Sequence, residues 1–595
     1  MAADTKWTDD QRKVIDVRDK NVLVAAAAGS GKTAVLVEHI ISLVTGENGQ
    51  PPVDIDKLLV VTFTNAAASE MRERILKTLE KKMKDNPFDD HIRKQLTYIH
   101  NAKIATIDSF CKDVVKEHFN EIDIDPAFKI ADSGDLALMQ SDVMAELLEK
   151  NYAEGTESFH RFIDVYSDSR SDKAIEEKLL TLYRFSQSYP NPEKWLWSLV
   201  EAYEIEPEKA EGSCSWFQVA KDNIRMQLSQ CIAQAETALE LSYDSGLDKL
   251  PDFIKEEYDR LKRLGEQSEF DAMGAGIKGF TFGRFPTLKG LSEEDTLTKD
   301  VIKNLRTSYK KGMESLAKKY FLRPLNDILE DVRKCAPVVR ELVRLVTEFG
   351  RAYKAAKLEK DMTDFSDIEH YALDILARED ENGHYVPTET AIEMSQDYYE
   401  IMIDEYQDSN LVQEIILNAI SKRGNGTSNV FMVGDVKQSI YKFRLARPEL
   451  FLKKYDTYPA GCSDSTDVLQ PVGNNKDCQK IVLSKNFRSR YQVLDFCNAI
   501  FRQIMVKDLG GIAYDEDNML YPGMEFPVDG EEYKAEIMFV DMDDDGEEED
   551  GLSDDEAPAK VELEAAMTAA KIKELIYGNG KKEPLMIYED RTSVV

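Results

Sequence analysis

A loop of small residues, AAAAGSGKT at positions 25–33, stands between an apolar run and a helix-like stretch. Small residues let a backbone turn tightly and approach a ligand closely, and a lysine at the end of the run indicates that the ligand is anionic. In such a loop the backbone N–H groups and the helix N-terminus cradle phosphates, the lysine reaches the β and γ phosphates, and the threonine hydroxyl ligates Mg²⁺. We therefore predict a site for ATP formed by Ala26, Ala27, Ala28, Gly29, Ser30, Gly31, Lys32 and Thr33, with Thr33 on the metal and Ala26 where the usual pattern has glycine.

Two carboxylates, Asp404 and Glu405, follow an apolar run in IMIDEYQDSN. The carboxyl ends of parallel strands are where such sheets place ligand-binding residues. One carboxylate can hold Mg²⁺ while its neighbour polarises the attacking water, which is what ATP hydrolysis requires. We predict that Asp404 holds the metal and that Glu405 is catalytic. A lone Asp-Glu pair is usually a solvated turn, but this one follows GSGKT at long range and continues into YQDSN.

The elements that must position these groups alternate between strand and helix. The apolar runs NVLVAA, KLLVVTFT and AKIATI predict parallel strands, separated by helical stretches such as AAASEMRERILKTLEKKMK. From about residue 131 to 361 long amphipathic stretches dominate and predict a helical insertion. The runs YEIMIDEYQ, SNVFMVGD and KIVLSKNF then predict that the interrupted sheet resumes.

The insertion contains a basic stretch, IKNLRTSYKKGMESLAKKYF, in an otherwise acidic chain. Its Lys and Arg residues are compatible with a solvated helix face, the more common case, or with a surface that contacts phosphates. The chain has 76 basic and 111 acidic residues and a formal charge of −35, which taken alone argues against a nucleic-acid partner. Part of that excess lies in one acidic segment at 541–557, which predicts a solvated, disordered loop.

The bulk properties are those of a multidomain cytoplasmic protein. A length of 595 residues exceeds what one hydrophobic core supports, and 42% hydrophobic residues suffice for several. No apolar run approaches the length of a membrane span, and MAADTKWTDDQRK lacks the apolar region of a signal peptide. The seven cysteines include no CxxC pair, which argues against a zinc or iron–sulfur site.

A series of motifs in this order resembles the superfamily 1 DNA helicases of the UvrD/Rep type, and among them the A subunits of the bacterial ATP-dependent helicase/nucleases (AddA type). The resemblance covers nearly the whole chain. The motifs are WTDDQRKVI, AAAAGSGKT, VVTFTNAAASEMRERI, IATIDSFC, DFSDIEHYALDIL, IDEYQDSN, VGDVKQSIYKFRLARPELF and LSKNFRSR.

The resemblance implies a role for each matched residue. Gln11 would hydrogen-bond the adenine, Gln438 would sense the γ-phosphate, and Arg488 would be an arginine finger, so Lys32, Glu405, Gln438 and Arg488 form the predicted catalytic set. Tyr441 and Phe443 offer faces on which the bases of a single strand can stack. The predicted DNA-binding residues are Phe63, Thr64, Asn65, Ser109, Tyr441, Phe443 and Arg444. Core packing is the competing interpretation for the aromatic residues.

The implied fold is an α/β P-loop NTPase with a RecA-like motor domain, a large all-helical insertion and an incomplete second RecA-like domain. We predict the first part of the motor domain at 1–125, the insertion at 126–362, the second part of the motor domain at 363–483 and the start of a second motor domain at 484–595. Two later helicase motifs and a nuclease domain are not found before Val595, so the chain resembles an N-terminal fragment.

The implied function is ATP-dependent 3′-to-5′ translocation on DNA in double-strand break repair and recombination. The implied cofactors are ATP and Mg²⁺, and the implied partners are single- and double-stranded DNA and an AddB-type helicase/nuclease subunit in a heterodimer, with no membrane. Two alternatives remain open at this stage. One is a UvrD-like helicase without a nuclease, and the other is a motor remnant that binds nucleotide or DNA without turnover.

Overall fold

The computed structural model describes residues 7–122, 124–167, 171–205, 214–243, 247, 249–288, 290–422, 429–458, 478–507, 511–526, 534–539, 556–578, 587–589 and 592–594. The acidic segment predicted at 541–557 lies outside these residues from 541 to 555.

The strands of the described residues are, in chain order, β1 Asn21–Ala26, β2 Leu58–Thr62, β3 Lys103–Thr106, β4 Lys129–Ile130, β5 Met362–Thr363, β6 Ala377–Glu379, β7 Tyr385–Pro387, β8 Glu400–Ile403, β9 Val430–Gly434, β10 Cys478–Leu483, β11 Lys485–Asn486, β12 Tyr521–Pro522, β13 Ile587–Glu589 and β14 Thr592–Val594. The helices are α1 Asp9–Asp16, α2 Lys32–Thr45, α3 Asn65–Asp85, α4 Asp90–Tyr98, α5 Ile107–Glu117, α6 Ser133–Glu154, α7 Glu157–Tyr166, α8 Lys173–Ser186, α9 Pro192–Glu201, α10 Ser215–Tyr243, α11 Leu250–Gly265, α12 Phe270–Lys278, α13 Glu293–Tyr320, α14 Leu325–Glu359, α15 Phe365–Leu376, α16 Glu389–Asp397, α17 Leu411–Ala419, α18 Pro448–Thr457, α19 Tyr491–Ile504 and α20 Glu556–Tyr577.

The chain forms two compact units. The first comprises the described parts of Met1–Phe110, Leu376–Ser409 and Leu417–Val595, and the second comprises those of Cys111–Ile375 and Asn410–Ile416. No helix of the described residues is both long enough and apolar enough to cross a membrane.

A parallel six-stranded sheet forms the centre of the first unit. Its strand order is β10-β1-β9-β8-β2-β3, and every pairing in it is parallel. Strands covered on both faces read as continuous apolar runs, and this is why NVLVAA and KLLVVTFT were recognisable in the sequence. Helices α2 and α3 pack on this core through buried residues such as Ile40, Val44, Met71 and Ile75. The predicted α/β fold with a parallel sheet is therefore confirmed.

A buried contact between a histidine and a glutamate joins three elements of the same unit. The Nε2 atom of His39 in α2 lies 2.8 Å from Oε2 of Glu400 at the start of β8, and both side chains are buried. The His39 Nδ1 atom is 2.9 Å from the carbonyl oxygen of Ile15, and its ring stacks on Phe431 of β9 with centroids 4.4 Å apart. The first helix, the loop-bearing helix and the sheet are thus tied together on the side away from the strand carboxyl ends.

The second unit consists mainly of helices, in keeping with the amphipathic pattern between 131 and 361. It also contains the short parallel pair β4–β5, so the prediction of an all-helical insertion is wrong in that detail. The 35-residue helix α14 packs against α6, α7, α8 and α9 through a core that includes Leu147, Phe159, Leu179 and Phe349. A second core lies between α10, α11, α12 and α13.

One residue of the basic stretch in α13 is not part of a solvated face. Arg306 pairs with Glu257 of α11, with 2.7 Å between Nη2 and Oε1, and the two side chains are 12% and 4% exposed. Tyr309 donates its hydroxyl to the same carboxylate at 2.6 Å. Lys303, Lys311 and other lysines of this helix do lie at the surface. The sequence pattern alone could not separate Arg306 from them.

A buried lysine lies where α14 ends and α15 begins. This residue is Lys357, and its Nζ atom is 2.7 Å from Asp364 Oδ2 and 2.5 Å from Asp367 Oδ2. The two aspartates also cap α15, because the Asp364 N–H donates to Asp367 Oδ2 at 3.0 Å and the Asp367 N–H donates to Asp364 Oδ1 at 2.9 Å. The segment DFSDIEHYALDIL therefore starts with a charge-stabilised helix N-terminus.

Candidate nucleotide site

The loop between β1 and α2 has the backbone shape that its small residues predicted. Gly29 has φ +68° and Gly31 has φ +83°, values in the left-handed region that side chains with a Cβ rarely adopt. Gly31 precedes α2 and supplies no side-chain cap, so the first N–H groups of this 14-residue helix have no capping side chain. A helix N-terminus of this kind favours an anion.

Three of the four predicted catalytic residues meet beside this loop. The Lys32 Nζ atom donates to Glu405 Oε2 at 2.9 Å and to Gln438 Oε1 at 3.2 Å. The lysine side chain is 12% exposed and that of Glu405 is 35% exposed, so the ion pair is partly accessible to solvent. Glu405 and Gln438 follow Lys32 by 373 and 406 positions in the sequence, yet both contact it at the carboxyl ends of β1, β8 and β9.

The backbone of Glu405 is itself unusual. It has φ +50° and ψ +45°, the left-handed region, although it is not glycine. Such a conformation costs of order 1 kcal/mol and is found where surrounding structure holds a functional group in place. The turn between β8 and the 3-10 helix Tyr406–Asp408 thereby directs the Glu405 carboxylate toward Lys32.

The neighbouring carboxylates lie in a poorly solvated region. Burial raises the pKa of Asp404 to about 6, and the charge of Glu405 adds to the rise while Lys32 opposes it. Burial, followed by the charge of Glu405, likewise raises the pKa of Asp408 to about 6. Carboxyl groups whose pKa is raised by burial and by a neighbouring carboxylate are groups that a divalent cation would stabilise in their charged form.

The donor set fits Mg²⁺. The Thr33 hydroxyl and the Asp404 carboxylate are hard oxygen donors, and Mg²⁺ in nucleotide sites takes one or two protein ligands and completes its shell with phosphates and water. No group of three His, Cys, Asp or Glu residues that could hold a metal converges anywhere in the described part of the chain. The assignment of a metal to Thr33 and Asp404 stays a prediction from the sequence.

Two residues that the sequence reasoning did not single out connect this cluster. Gln407 is buried, and its Nε2 donates to Glu405 Oε2 at 2.9 Å while its Oε1 accepts the Asp435 N–H at 2.9 Å. Asp435 Oδ2 in turn accepts from Gln438 Nε2 at 2.9 Å. Gly434 leaves no room for a larger residue, since a Cβ there would lie 2.4 Å from Gln407 Oε1. The sequence does indicate these two residues indirectly, because Gln407 lies in IDEYQDSN and Asp435 lies in VGDVKQSIYKFRLARPELF.

Gln11 lies against the same loop. Its Nε2 donates to the carbonyl oxygen of Ser30 at 3.1 Å, and its Oε1 accepts the Thr8 N–H at 3.0 Å in a capping box that begins α1. A Cβ added to Gly31 would lie 3.5 Å from Gln11 Nε2. The predicted base-binding residue is thus held at the edge of the predicted phosphate loop.

Aromatic rings cluster after the ends of β2 and β9. The ring centroids of Phe63 and Tyr441 are 4.5 Å apart and those of Tyr441 and Phe443 are 5.7 Å apart. Phe443 is 75% exposed, so core packing does not account for it. The side chain of Arg444 lies outside the described part of the structure.

The remaining predicted residues take local positions. Thr64 caps α3 by accepting the Ala67 N–H at 3.1 Å, and Asn65 is the first residue of that helix. Ser109 in α5 hydrogen-bonds the Thr106 hydroxyl at 3.0 Å. The Arg488 side chain is exposed, and its N–H donates to Asn486 Oδ1 at 2.8 Å.

Comparison with known proteins identifies the family of this chain. The family model described as the UvrD/REP helicase N-terminal domain matches residues 7–459, three quarters of the chain. The chain belongs to the UvrD/REP helicase family. The family predicted from the motifs is thereby confirmed, and the loop, the carboxylate pair and the Gln438 segment all lie within the matched residues.

Curated relatives of this chain include proteins named as the A subunit of an ATP-dependent helicase/nuclease. A protein from Lachnoclostridium phytofermentans, named as the A subunit of an ATP-dependent helicase/nuclease, is 42% identical over 631 residues, covering 100% of this chain and 44% of the relative. Proteins of the same name from Bacillus velezensis and Geobacillus kaustophilus are both 39% identical, with 99% of this chain and 46% of each relative covered. This UvrD/REP family chain therefore spans less than half the length of these relatives.

Proposed function

We propose that this chain is the ATP-hydrolysing part of an AddA-type helicase/nuclease subunit, which moves 3′-to-5′ along DNA during double-strand break repair. The observation that carries the proposal is the convergence of Lys32, Glu405 and Gln438 beside a glycine loop at the carboxyl edge of a parallel sheet. The name borne by the relatives supports the helicase/nuclease assignment. Polarity, the repair role and an AddB-type partner protein follow from the resemblance.

In this proposal the ion pair between Lys32 and Glu405 is the resting state of the site. The γ-phosphate of ATP carries more negative charge than one carboxylate and would take Lys32 as its partner. Glu405 would then be released to accept a proton from the attacking water. The left-handed backbone at Glu405 and the hydrogen bond from Gln407 would keep that carboxylate in place during the exchange.

Mg²⁺ would be held by Thr33 and Asp404 and would neutralise charge on the phosphates. A bound cation would lower the pKa of Asp404 again and keep this carboxylate charged in weakly acidic solution as well. Arg488 is exposed on the segment that follows the loop contacts, and it would contribute positive charge to the transition state.

Coupling to DNA would pass along a short segment. Gln438 contacts Lys32 directly, and Tyr441 lies three residues later within ring-contact distance of Phe63. Loss of the γ-phosphate would change the partner of Lys32 and hence the hydrogen bonds of Gln438. Stacked bases on Phe63, Tyr441 and Phe443 would then be gripped or released without sequence preference.

The domain assignment is part of the same proposal. Residues 1–125 and 363–483 would form the first motor domain, 126–362 its helical insertion, and 484–595 the start of a second motor domain. Nuclease activity would belong to a domain outside this chain, in keeping with the greater length of the relatives.

The test is ATP hydrolysis by the purified chain with and without single-stranded DNA, with Glu405→Gln as the control for contaminating ATPases. We expect turnover that DNA stimulates and that the substitution abolishes. ATP binding that requires Lys32 without any turnover would instead favour a binding module. Absence of both would overturn the assignment of the phosphate site.

A further inference from the structure

A single side chain in the segment LSKNFRSR holds the phosphate loop, although it is not among the predicted site residues. Asn486, the last residue of β11, is 3% exposed, and its Nδ2 donates to the carbonyl oxygen of Ala28 at 2.8 Å. The next residue continues the contact, because the Phe487 N–H donates to the carbonyl oxygen of Gly29 at 2.8 Å. Two consecutive carbonyl groups of the loop are therefore anchored on residues 486 and 487.

These bonds fix the orientation of the loop peptides. The carbonyl and the N–H of one peptide unit lie in a plane and point in opposite directions. Anchoring the Ala28 carbonyl on Asn486 therefore points the Gly29 N–H away from Asn486. A flipped peptide would present a carbonyl oxygen to a phosphate in place of an N–H, and two negative groups would then face each other.

The contact is close as well as directional. Gly29 has φ +68°, and a Cβ at that position would lie 2.6 Å from Asn486 Nδ2 and 2.8 Å from Asn486 Oδ1. Glycine at 29 is required twice, once by the backbone conformation and once by the space that Asn486 occupies. The loop and the asparagine are complementary in shape.

The other end of the same amide holds the arginine segment. Asn486 Oδ1 accepts the N–H groups of Arg488 and Ser489, each at 2.8 Å. An asparagine that bonds the backbone two and three residues ahead fixes a tight turn. One side chain thus connects the backbone of the phosphate loop to the start of the segment that carries Arg488.

We propose that Asn486 is a positioning residue for ATP hydrolysis, which sets the phosphate-binding orientation of the Ala28–Gly29 peptide and the placement of Arg488 relative to it. This proposal rests on the proposed ATPase function and names a residue with no contact to the reacting atoms. It assigns the Nδ2 end to nucleotide binding and the Oδ1 end to turnover.

Two substitutions of Asn486 and one control substitution test the roles of its Nδ2 and Oδ1 atoms. Asn486→Asp keeps an oxygen facing Arg488 and Ser489 but places a second oxygen against the Ala28 carbonyl, whereas Asn486→Ala removes both contacts. Asn498→Ala is the matched control, since Asn498 is also buried and bridges the backbone of Leu520, with Nδ2 2.9 Å from its carbonyl oxygen and Oδ1 3.0 Å from its N–H. Affinity for a fluorescent ATP analogue, KM, kcat and the thermal midpoint are measured for each full chain.

We expect Asn486→Asp to weaken ATP binding and raise KM by about tenfold, as for a buried carbonyl that loses its donor, with a smaller change in kcat. Asn486→Ala should raise KM and also lower kcat, but it should lower kcat no further when Arg488→Ala is already present. Asn498→Ala should lower the thermal midpoint and leave affinity unchanged. If Asn486 served folding alone, Asn486→Asp and Asn486→Ala would lower the thermal midpoint and leave KM unaltered. That result would overturn the proposal.

A second-site test uses the close contact. Gly29→Ala should weaken ATP binding, and Gly29→Ala combined with Asn486→Ala should bind better than the sum of the two losses predicts, because the clash has been removed. Additive losses would contradict the proposed packing role. If the unmodified chain binds ATP in a Lys32-dependent manner while Asn486→Asp is unchanged, this inference fails and the ATPase proposal stands; if the unmodified chain binds no ATP, both fail.

Discussion

Replacement of Lys357 by methionine tests the energetics of the second unit. The lysine is 1% exposed, contacts two aspartates and lies 4.3 Å from the Tyr353 ring centroid. Methionine fills a similar volume but leaves Asp364 and Asp367 together without a cation. Removing one partner of a buried ion pair costs about 3–5 kcal/mol, and we expect a loss of that size in the free energy of unfolding.

The loss should depend on pH. Burial, followed by the charge of Asp364, already raises the pKa of Asp367, and Lys357 opposes that rise. In the variant the opposition is gone, so the folded state holds a proton that the unfolded state releases. A carboxyl whose folded pKa is raised stabilises the fold below its unfolded pKa and loses that contribution as the pH rises through the folded pKa. The variant should therefore regain part of its stability as the pH falls from 8 toward 5.

Urea unfolding followed by tryptophan fluorescence is the assay. Trp195, Trp197 and Trp216 lie in the second unit, so the signal reports mainly on it. With slopes of about 3 kcal/mol per molar urea, the midpoint should fall by about 1 M or more. Lys354→Met is the control, because Lys354 is exposed on the same helix and lies 5.0 Å from the Tyr371 ring centroid. A midpoint for the Lys357 variant no lower than that of the control would refute the reasoning.

Three further outcomes follow from single contacts. Phe443→Ala should weaken binding to a single-stranded oligonucleotide by about 1–3 kcal/mol in a fluorescence-anisotropy titration, whereas Phe88→Ala, which removes another exposed ring, should have no effect. His39→Ala should lower the thermal midpoint by several degrees, since it leaves Glu400 buried without its partner, and an unchanged midpoint would contradict the pairing. Gln11→Ala should reduce the preference for ATP over GTP in competition binding, and an unaltered preference would remove Gln11 from the base site.

Much of the first unit can be predicted from its continuous apolar runs and its glycine-containing loop. Strands β1, β2, β8 and β9 are buried on both faces, so each one appears in the sequence as a continuous apolar run. The loop after β1 is recognisable because its residues are small. The family resemblance added Gln438 to the site. The sequence therefore predicts Lys32, Glu405 and Gln438 as a set, and in the structure Lys32 donates to both of the others.

Contacts between distant segments were beyond the sequence pattern. Gln407 accepts a backbone N–H 28 residues away, and Asn486 donates to a carbonyl group 458 residues away. The motifs contain both residues but do not show which groups they contact. Arg306 looked like its lysine neighbours, and only Glu257 on another helix distinguishes it. The left-handed backbone at Glu405 is likewise imposed by its surroundings, since glutamate has no intrinsic preference for it.

The position of β10 determines which shorter pieces of this chain can remain soluble. The family match ends at residue 459, yet the strand that carries the phosphate loop pairs on one side with β10, from Asn21 opposite Cys478 to Ala26 opposite Leu483. In a fragment that ends at residue 459, β1 would be an edge strand, and its unpaired N–H and C=O groups could pair with a strand of another chain. The smallest nucleotide-binding piece that stays monomeric should therefore extend at least through residue 483, and shorter ones should aggregate.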